Sequence, residues 1–279
     1  MNYRHAYHAG NFADVIKHSL FTRILAYLKQ KDKPFRVIDT HAGIGLYDLR
    51  GEAANKTTEA EFGIERLSSP FSQDIEQLLQ PYRNVLASIR TRYGETTYPG
   101  SPAITRELLR PQDRAIFVEL HEEDHALLSE RFNQVTNTKV LHMDGWTALQ
   151  ALIPPKEKRG IVLIDPPFEQ PDELTRLIQC CTKASEKWPT GIYAAWYPVK
   201  NPQKIDNAWR TLKSSCSRPL LRAEVLIKRP SDVSQLNGCG LFIINPPWTL
   251  AQEAEQLLPA LTERLAQTDY GAWRVEEQP

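Results

Sequence analysis

A chain of 279 residues, 41% hydrophobic and 24% charged, is sized for one large soluble domain, or one domain with an inserted lobe, and can bury a substantial core. Its 34 basic and 34 acidic side chains cancel, which argues against coating nucleic acid through overall charge. No apolar run approaches the roughly 18 residues of a membrane span, and "MNYRHAYHAGNFADVIKH" at the start lacks a signal core, so a cytoplasmic location without a membrane partner is expected.

The first predicted element is a helix, in which Phe12, Val15, Ile16, Leu20, Ile24, Tyr27 and Leu28 follow the helical period and Asn11 is placed to cap. Seven apolar runs then read as strands: 35–39, 115–120, 139–143, 160–165, 191–197, 223–227 and 240–245. The early ones lack polar alternation, as strands buried on both faces do. Helical patterns alternate with most of them, implying βαβ units and a mostly parallel sheet, with a last helix within 251–265. Residues 46–98 are too long for one crossover. They carry two helical patterns, "EAEFGIERL" and "QDIEQLLQPYRNVLASIRTRY", around a turn at "SSPFS", and read as an inserted helical subdomain. The core is then residues 1–45 and 99–279, resuming at "YPGSPAITRELL". Residues 201–222 and the tail after 266 read only as surface and packing. Cys180, Cys181, Cys216 and Cys239 have no metal-like spacing and read as reduced, buried or half-buried thiols.

Open parallel sheets bind ligands beyond the carboxyl ends of their strands. The first predicted strand ends in "DTHAGIG", placing Asp39, His41, Gly43 and Gly45 in a turn where glycine lets backbone approach a ligand. The pattern is not GxGxxG, so a dinucleotide is poorly supported. The second ends at Glu119, whose carboxylate can accept two ribose hydroxyls. The third leads to "MDGW", where Asp144 suits an adenine amino group, and the fourth ends in "DPPF". Each alone reads equally as a turn, cap or solvated acid; together they outline a nucleoside-shaped cofactor across the sheet tips.

"DPPF" has a logic for methylating an exocyclic amine, whose lone pair is delocalised into the ring. Asp165 and the Pro166 carbonyl can each accept one N–H and turn that lone pair toward a methyl donor. Pro166 and Pro167 restrict the loop, and Phe168 offers a stacking face to a base that is single-stranded or flipped out.

With these motifs the chain resembles the S-adenosylmethionine-dependent adenine-N6 methyltransferases carrying [DNS]PP[YFW]. Within them, "YRHAYHAGNFADVIKH", "DTHAGIG", "YPGSP", "DPPF", "YAAWYP" and "INPPW" resemble the RlmJ family, the 23S rRNA (adenine(2030)-N6)-methyltransferases, from residue 3 to about 250. The resemblance implies a seven-stranded Rossmann-like methyltransferase core, its last strand antiparallel, with an inserted helical lobe. It implies S-adenosylmethionine as methyl donor, no metal, and 23S rRNA as substrate. It places His18, His41 and Ser101 at the cofactor's amino-acid end, Glu119 at its ribose, Asp144 and Gly145 at its adenine edge, and Asp165 at the target amine. Tyr3, His5 and Lys17 match a block that reaches toward the substrate base and assists catalysis. Read on residues alone, His18 is a structural helix histidine, and His5, His8, Asp14 and His18 have no standard metal spacing.

In such a fold "INPPW" ends the antiparallel strand on the opposite sheet edge, so Asn245 is expected far from Asp165, with "PPW" stopping the strand and anchoring the last helix. The RNA is expected to be deproteinised or an early assembly precursor, met through a local basic face drawn from Arg4, Lys17, Arg23, "KEKR" and "IKRP", without an obligate protein partner. Few phosphate contacts predict modest salt sensitivity. A DNA adenine-N6 methyltransferase, or a non-catalytic protein binding RNA or S-adenosylmethionine, are the rival readings. The first would be expected to carry a dedicated target-recognition region, and none is evident beyond the insertion; the second would tolerate loss of Asp165.

Overall fold

The computed structural model describes residues 7–51, 58–133 and 135–279. Tyr3, Arg4 and His5 therefore lie outside the described residues. Helix α1 (Phe12–Lys29) leads to β1 (Arg36–Asp39). Asn11 caps α1 as expected, accepting the Asp14 amide at 2.9 Å. Short strands β2 (Leu46–Asp48) and β3 (Thr97–Pro99) pair with each other, on either side of α2 (Gln73–Tyr93). Next come α3 (Ser101–Leu108), β4 (Arg114–Glu119), α4 (Glu122–Phe132), β5 (Thr138–His142) and α5 (Gly145–Ala151). After them are β6 (Gly160–Ile164), α6 (Glu173–Lys187), β7 (Gly191–Val199) and α7 (Pro202–Ser215). The chain closes with β8 (Leu220–Leu226), β9 (Gly238–Ile244), α8 (Leu250–Leu265) and β10 (Ala272–Gln278).

The main sheet runs β10-β8-β9-β7-β6-β1-β4-β5. β5, β4, β1, β6 and β7 are parallel, and β9 enters antiparallel between β7 and β8. The seven expected strands are present, with β9 reversed between the fifth and sixth. The count is nevertheless eight, because β10 adds an antiparallel edge strand to β8. Its sequence, "AWRVEEQ", is too polar to read as a core strand, and it is only partly buried.

Alternate strand residues feed two apolar layers. Val37, Phe117, Ile161 and Leu163 pack with α1, α2, α3, α4 and α8, while Ile38, Val162 and Ile164 pack with α5, α6 and α7. The four apolar residues of β6 are fully buried, each worth about 1.5–3 kcal/mol over exposure. That burial fixes the strand end that delivers Asp165. The "EAEFGIERL" segment departs from its expected helix and forms two 3-10 turns, Glu59–Phe62 and Ile64–Leu67. Gly63 between them presses on the entry to α1, so a Cβ there would lie 2.0 Å from the Gly10 carbonyl.

Asn245 sits on the far edge, as expected, with φ at 54°. Its amide donates to the Pro189 and Gly191 carbonyls at 3.0 and 2.8 Å, stitching β9 to the start of β7. Trp248 contradicts the expected anchor. It is 80% exposed, and α8 is instead seated by Leu250, Ala254, Leu257, Leu258 and Leu261, which supply its apolar stripe.

Candidate active site

The carboxyl ends of β1, β4, β5 and β6 open on a cavity of about 270 Å³. Its lining includes His18, His41, Ser101, Glu119, Asp144, Gly145 and Asp165, so the expected cofactor residues come together in one place. Gly43 and Gly45 carry φ of 60° and 78°, left-handed values that suit glycine. The turn they form brings the Gly43 amide to Glu119 Oε2 at 2.8 Å, while Oε1 accepts the His121 amide at 2.8 Å. Each carboxylate oxygen keeps a lone pair for a ribose hydroxyl. Burial raises the Glu119 carboxyl, and these two amides oppose the rise.

Asp144 caps α5 with Oδ2, which accepts from the Thr147 amide and hydroxyl at 2.9 Å. Gly145 lets that helix lie against His41, since a Cβ would meet the Thr40 carbonyl at 2.4 Å and the imidazole at 2.7 Å. His41 packs edge-on to Trp146, and its Nδ1 pairs with the Thr40 hydroxyl at 2.8 Å. Burial depresses the imidazole to about 4, so it is neutral at pH 7. His18 is buried in α1, stacked on Tyr98, with Nδ1 2.8 Å from the Tyr98 hydroxyl.

Lys17 joins this cavity to a second one. Its ammonium lies 2.5 Å from Asp165 Oδ2 and 2.9 Å from Asp14 Oδ1, almost wholly buried. Burial opposes the charge, but the two carboxylates hold the ammonium well above its usual range. The second cavity, about 310 Å³, is lined by Asp165, Pro166, Pro167 and Phe168, with Trp196, Lys200 and Leu236 opposite and Asn11, Asp14 and Lys17 at its side. Phe168 stands at φ 52° and meets Trp196 edge-to-face with centroids 5.7 Å apart. Aspartate, ammonium and one proline are thus common to both cavities.

Sequence reasoning missed several lining residues. Arg176 lies over the Trp146 ring at 4.9 Å, and Glu173 and Asp124 line the same cavity. They stand on helices after the strands, where no local pattern marks them. Trp196 falls within the quoted "YAAWYP", but only the fold aims it at Phe168. Asp39 is fully buried, and its Oδ2 lacks a hydrogen-bond partner among the described residues. Burial raises its carboxyl to about 7, against the Ser101 hydrogen bond and the Lys17 charge.

The expected basic face does not form from α1. Lys17 is buried between two acids, and Arg23 is held by Glu253 through a pair of hydrogen bonds at 2.9 and 2.8 Å. Both point inward because α1 is covered by α2 and α8. Among the described residues, no group of three or more His, Cys, Asp or Glu could hold a metal ion, and no helix is long and apolar enough to cross a membrane.

The family described as "Ribosomal RNA large subunit methyltransferase D, RlmJ" matches residues 32–278. The chain belongs to this family. The ribosomal RNA large subunit methyltransferase J of Haemophilus influenzae is 38% identical over 279 residues, covering 99% of this chain and 98% of the relative. The protein of the same description from Escherichia coli K12 is 38% identical over 281 residues, covering 99% and 100%. A crystal structure of a Legionella pneumophila protein superposes with a TM-score of 0.85 at 36% identity, covering 96% of this chain and 98% of that one. The RlmJ match thus spans the sheet from β1 to β10 and the segment between β2 and β3, while α1, which brings Lys17 and His18 to the first cavity and Asn11, Asp14 and Lys17 to the second, precedes it.

Proposed function

We propose that this protein methylates ribosomal RNA of the large subunit, using S-adenosylmethionine to modify the exocyclic N6 of one adenine in 23S rRNA. The observation that carries this reading is the pair of cavities meeting at Asp165 and Lys17, one nucleoside-sized and acid-lined, the other aromatic. The printed names of the relatives from H. influenzae and E. coli support the ribosomal RNA substrate.

The first cavity fits the methyl donor. Glu119 has lone pairs for the ribose, Asp144 and Gly145 border a slot for the adenine edge, and His18, His41 and Ser101 surround the amino-acid end. S-adenosylmethionine supplies an electrophilic methyl group on a sulfonium. The chain's own residues do the rest. Asp165 and the Pro166 carbonyl accept the N–H groups of the target amine, and Phe168, backed edge-to-face by Trp196, offers its ring a stacking face. Lys17 holds the Asp165 carboxylate in place. Alignment supplies most of the rate, since the reacting atoms are held rather than activated by a strong base. Tyr3 and His5 complete the substrate side in this reading. The chain divides into a core of residues 1–45 and 99–279 and an inserted subdomain, 46–98, whose ends are clasped by the β2–β3 pair.

The test is to incubate the protein with labelled S-adenosylmethionine and deproteinised 23S rRNA, assembled subunits or DNA, and to identify the labelled nucleoside. N6-methyladenosine in 23S rRNA, strongest in the deproteinised sample, is the expected result. Label confined to DNA, or found in none of the three, would sink the reading.

A further inference from the structure

The sheet edge opposite the active site carries a charge imbalance absent from the chain as a whole. Because most of the strands are parallel, the segments preceding β1, β4, β6, β7 and β8 converge there, joined by the turn after the reversed β9. Hydrogen bonds tie them into one surface. Arg110 donates to the Lys31 and Lys33 carbonyls at 2.9 and 3.2 Å, and Arg159 to the Lys33 and Leu28 carbonyls at 3.2 and 3.0 Å. Thr190 donates to the Lys158 carbonyl. Asn245 binds the Pro189 and Gly191 carbonyls through its side chain and the Pro219 carbonyl through its amide.

Lys31, Lys33, Lys156, Lys158 and Lys187 stand exposed on this surface, with Arg218 half-buried beside them. The acids in the same segments do not balance them. Asp113 is taken by Arg110 and Glu157 by Arg36, leaving Asp32 and Glu186 exposed, with Glu277 at the end of the edge strand β10. The site edge has the opposite character, lined by Glu119, Asp124, Asp144, Asp165, Glu169 and Glu173. Trp248 projects from the turn after β9, its indole 80% exposed. An aromatic that open on the same sheet edge as these lysines offers a base a stacking face that an acidic protein surface would not need.

We infer that this basic edge, Lys31, Lys33, Lys156, Lys158 and Lys187 with Trp248 on the same edge, is a second docking surface for RNA, holding the phosphate backbone and one unpaired base of a segment remote from the target adenine. The inference rests on the RNA reading above and extends it. The two edges are separated by the length of the sheet, roughly 17 Å for a five-residue strand at about 3.3 Å per residue. A short strand in the active site does not span them, whereas a folded RNA does. The surface explains how a chain with an acidic active-site mouth and no net charge retains a polyanion.

The experiment measures the affinity of the full-length protein for deproteinised 23S rRNA across a salt series. It compares wild type with Lys33→Glu/Lys156→Glu/Lys158→Glu, the milder triple glutamine variant, and Trp248→Ala. Melting temperature and S-adenosylmethionine affinity, both expected unchanged, report that the variants fold. The glutamate variant should bind roughly ten-fold or more weakly near physiological salt, and its log–log salt slope should be shallower by about 2, as for the loss of two or three phosphate contacts. The glutamine variant should fall between. Trp248→Ala should lose about five-fold or more with the slope preserved, since stacking releases no counterions. Wild-type affinity and slope in the glutamate variant would overturn the inference and point this edge toward an acidic protein partner. Absence of methyl transfer by the wild type would overturn the methyltransferase reading, while leaving the binding comparison readable.

Discussion

The Lys17 ammonium bridges Asp14 and Asp165, at 2.9 and 2.5 Å, and so ties the amino-terminal helix to the loop after β6. This contact joins residues 148 positions apart and explains why a cation sits in so enclosed a place. Without it the two carboxylates would face and repel each other. Asp165→Ala should reduce methyl transfer by a factor of at least about 100, with S-adenosylmethionine affinity changed only a few-fold. Turnover near the wild-type level would show that Asp165 does not hold the amine. Lys17→Ala should cost both activity and stability, on the order of 3–5 kcal/mol, because it leaves buried acids unpaired. Adding Asp14→Asn to Lys17→Ala should recover part of the stability but not the activity. Chemical denaturation and single-turnover rates separate the two.

The ring of Phe168 and the edge of Trp196 form the aromatic wall of the second cavity. Phe168→Ala should lower kcat/KM for 23S rRNA by about 10- to 100-fold, the equivalent of ~1–3 kcal/mol of stacking. Phe168→Tyr should leave it within about three-fold, because the stacking face is kept. A large loss in the tyrosine variant would mean that the cavity has no room for the hydroxyl and would count against a stacked base.

Asp39 gives the free protein a pH signature. Its carboxyl is raised by burial to about 7 in the fold, whereas an unfolded aspartate titrates near 3.9. The folded state therefore binds a proton that the unfolded state releases. The associated stability is present in full below about pH 4 and is lost as pH rises through 7. Asp39→Asn should remove this component, on the order of 4 kcal/mol between those limits. A melting series from pH 5 to 8 should show the wild type losing stability relative to the variant. Parallel curves would show that Asp39 is ionised throughout.

The legible parts of this molecule were those where burial is two-sided or where a turn needs a special residue. Strands such as "GIVLI" are apolar throughout because helices cover both faces, and the glycines after β1 mark the left-handed turn at the first cavity. β10 was hidden because Arg274 and Glu276 serve an ion network around buried Arg222 rather than an apolar face. Arg222 itself disguises the start of β8, its charge met by Glu224 and Asp206 at 2.8 Å. Lys17 read as a surface cation because its partner Asp165 is far away in sequence. Trp248 read as core because apolar character alone does not report which side of a turn faces water. Local spacing found the groups at strand ends. It did not find Asp124, Arg176, Trp196 or Lys200, which join the site only through packing.

Asn245 supplies the contrast to Asp165, since "INPPW" and "IDPPF" differ little as sequence. Asp165 follows a parallel strand beside the two cavities, whereas Asn245 follows the reversed β9 on the other edge. Asn245 tolerates φ of 54° and makes two hydrogen bonds to backbone carbonyls, at 3.0 and 2.8 Å. Asn245→Ala should destabilise the protein by about 2 kcal/mol, combining lost hydrogen bonds with a poorer left-handed residue. Asn245→Gly should recover part of that, because glycine adopts the same backbone without strain. Neither should change the single-turnover methylation rate at saturating RNA by more than about two-fold, since a rate factor of two is only about 0.4 kcal/mol in the barrier. A ten-fold drop in that rate with stability intact would place Asn245 in the reaction and undo the distinction drawn from sheet topology.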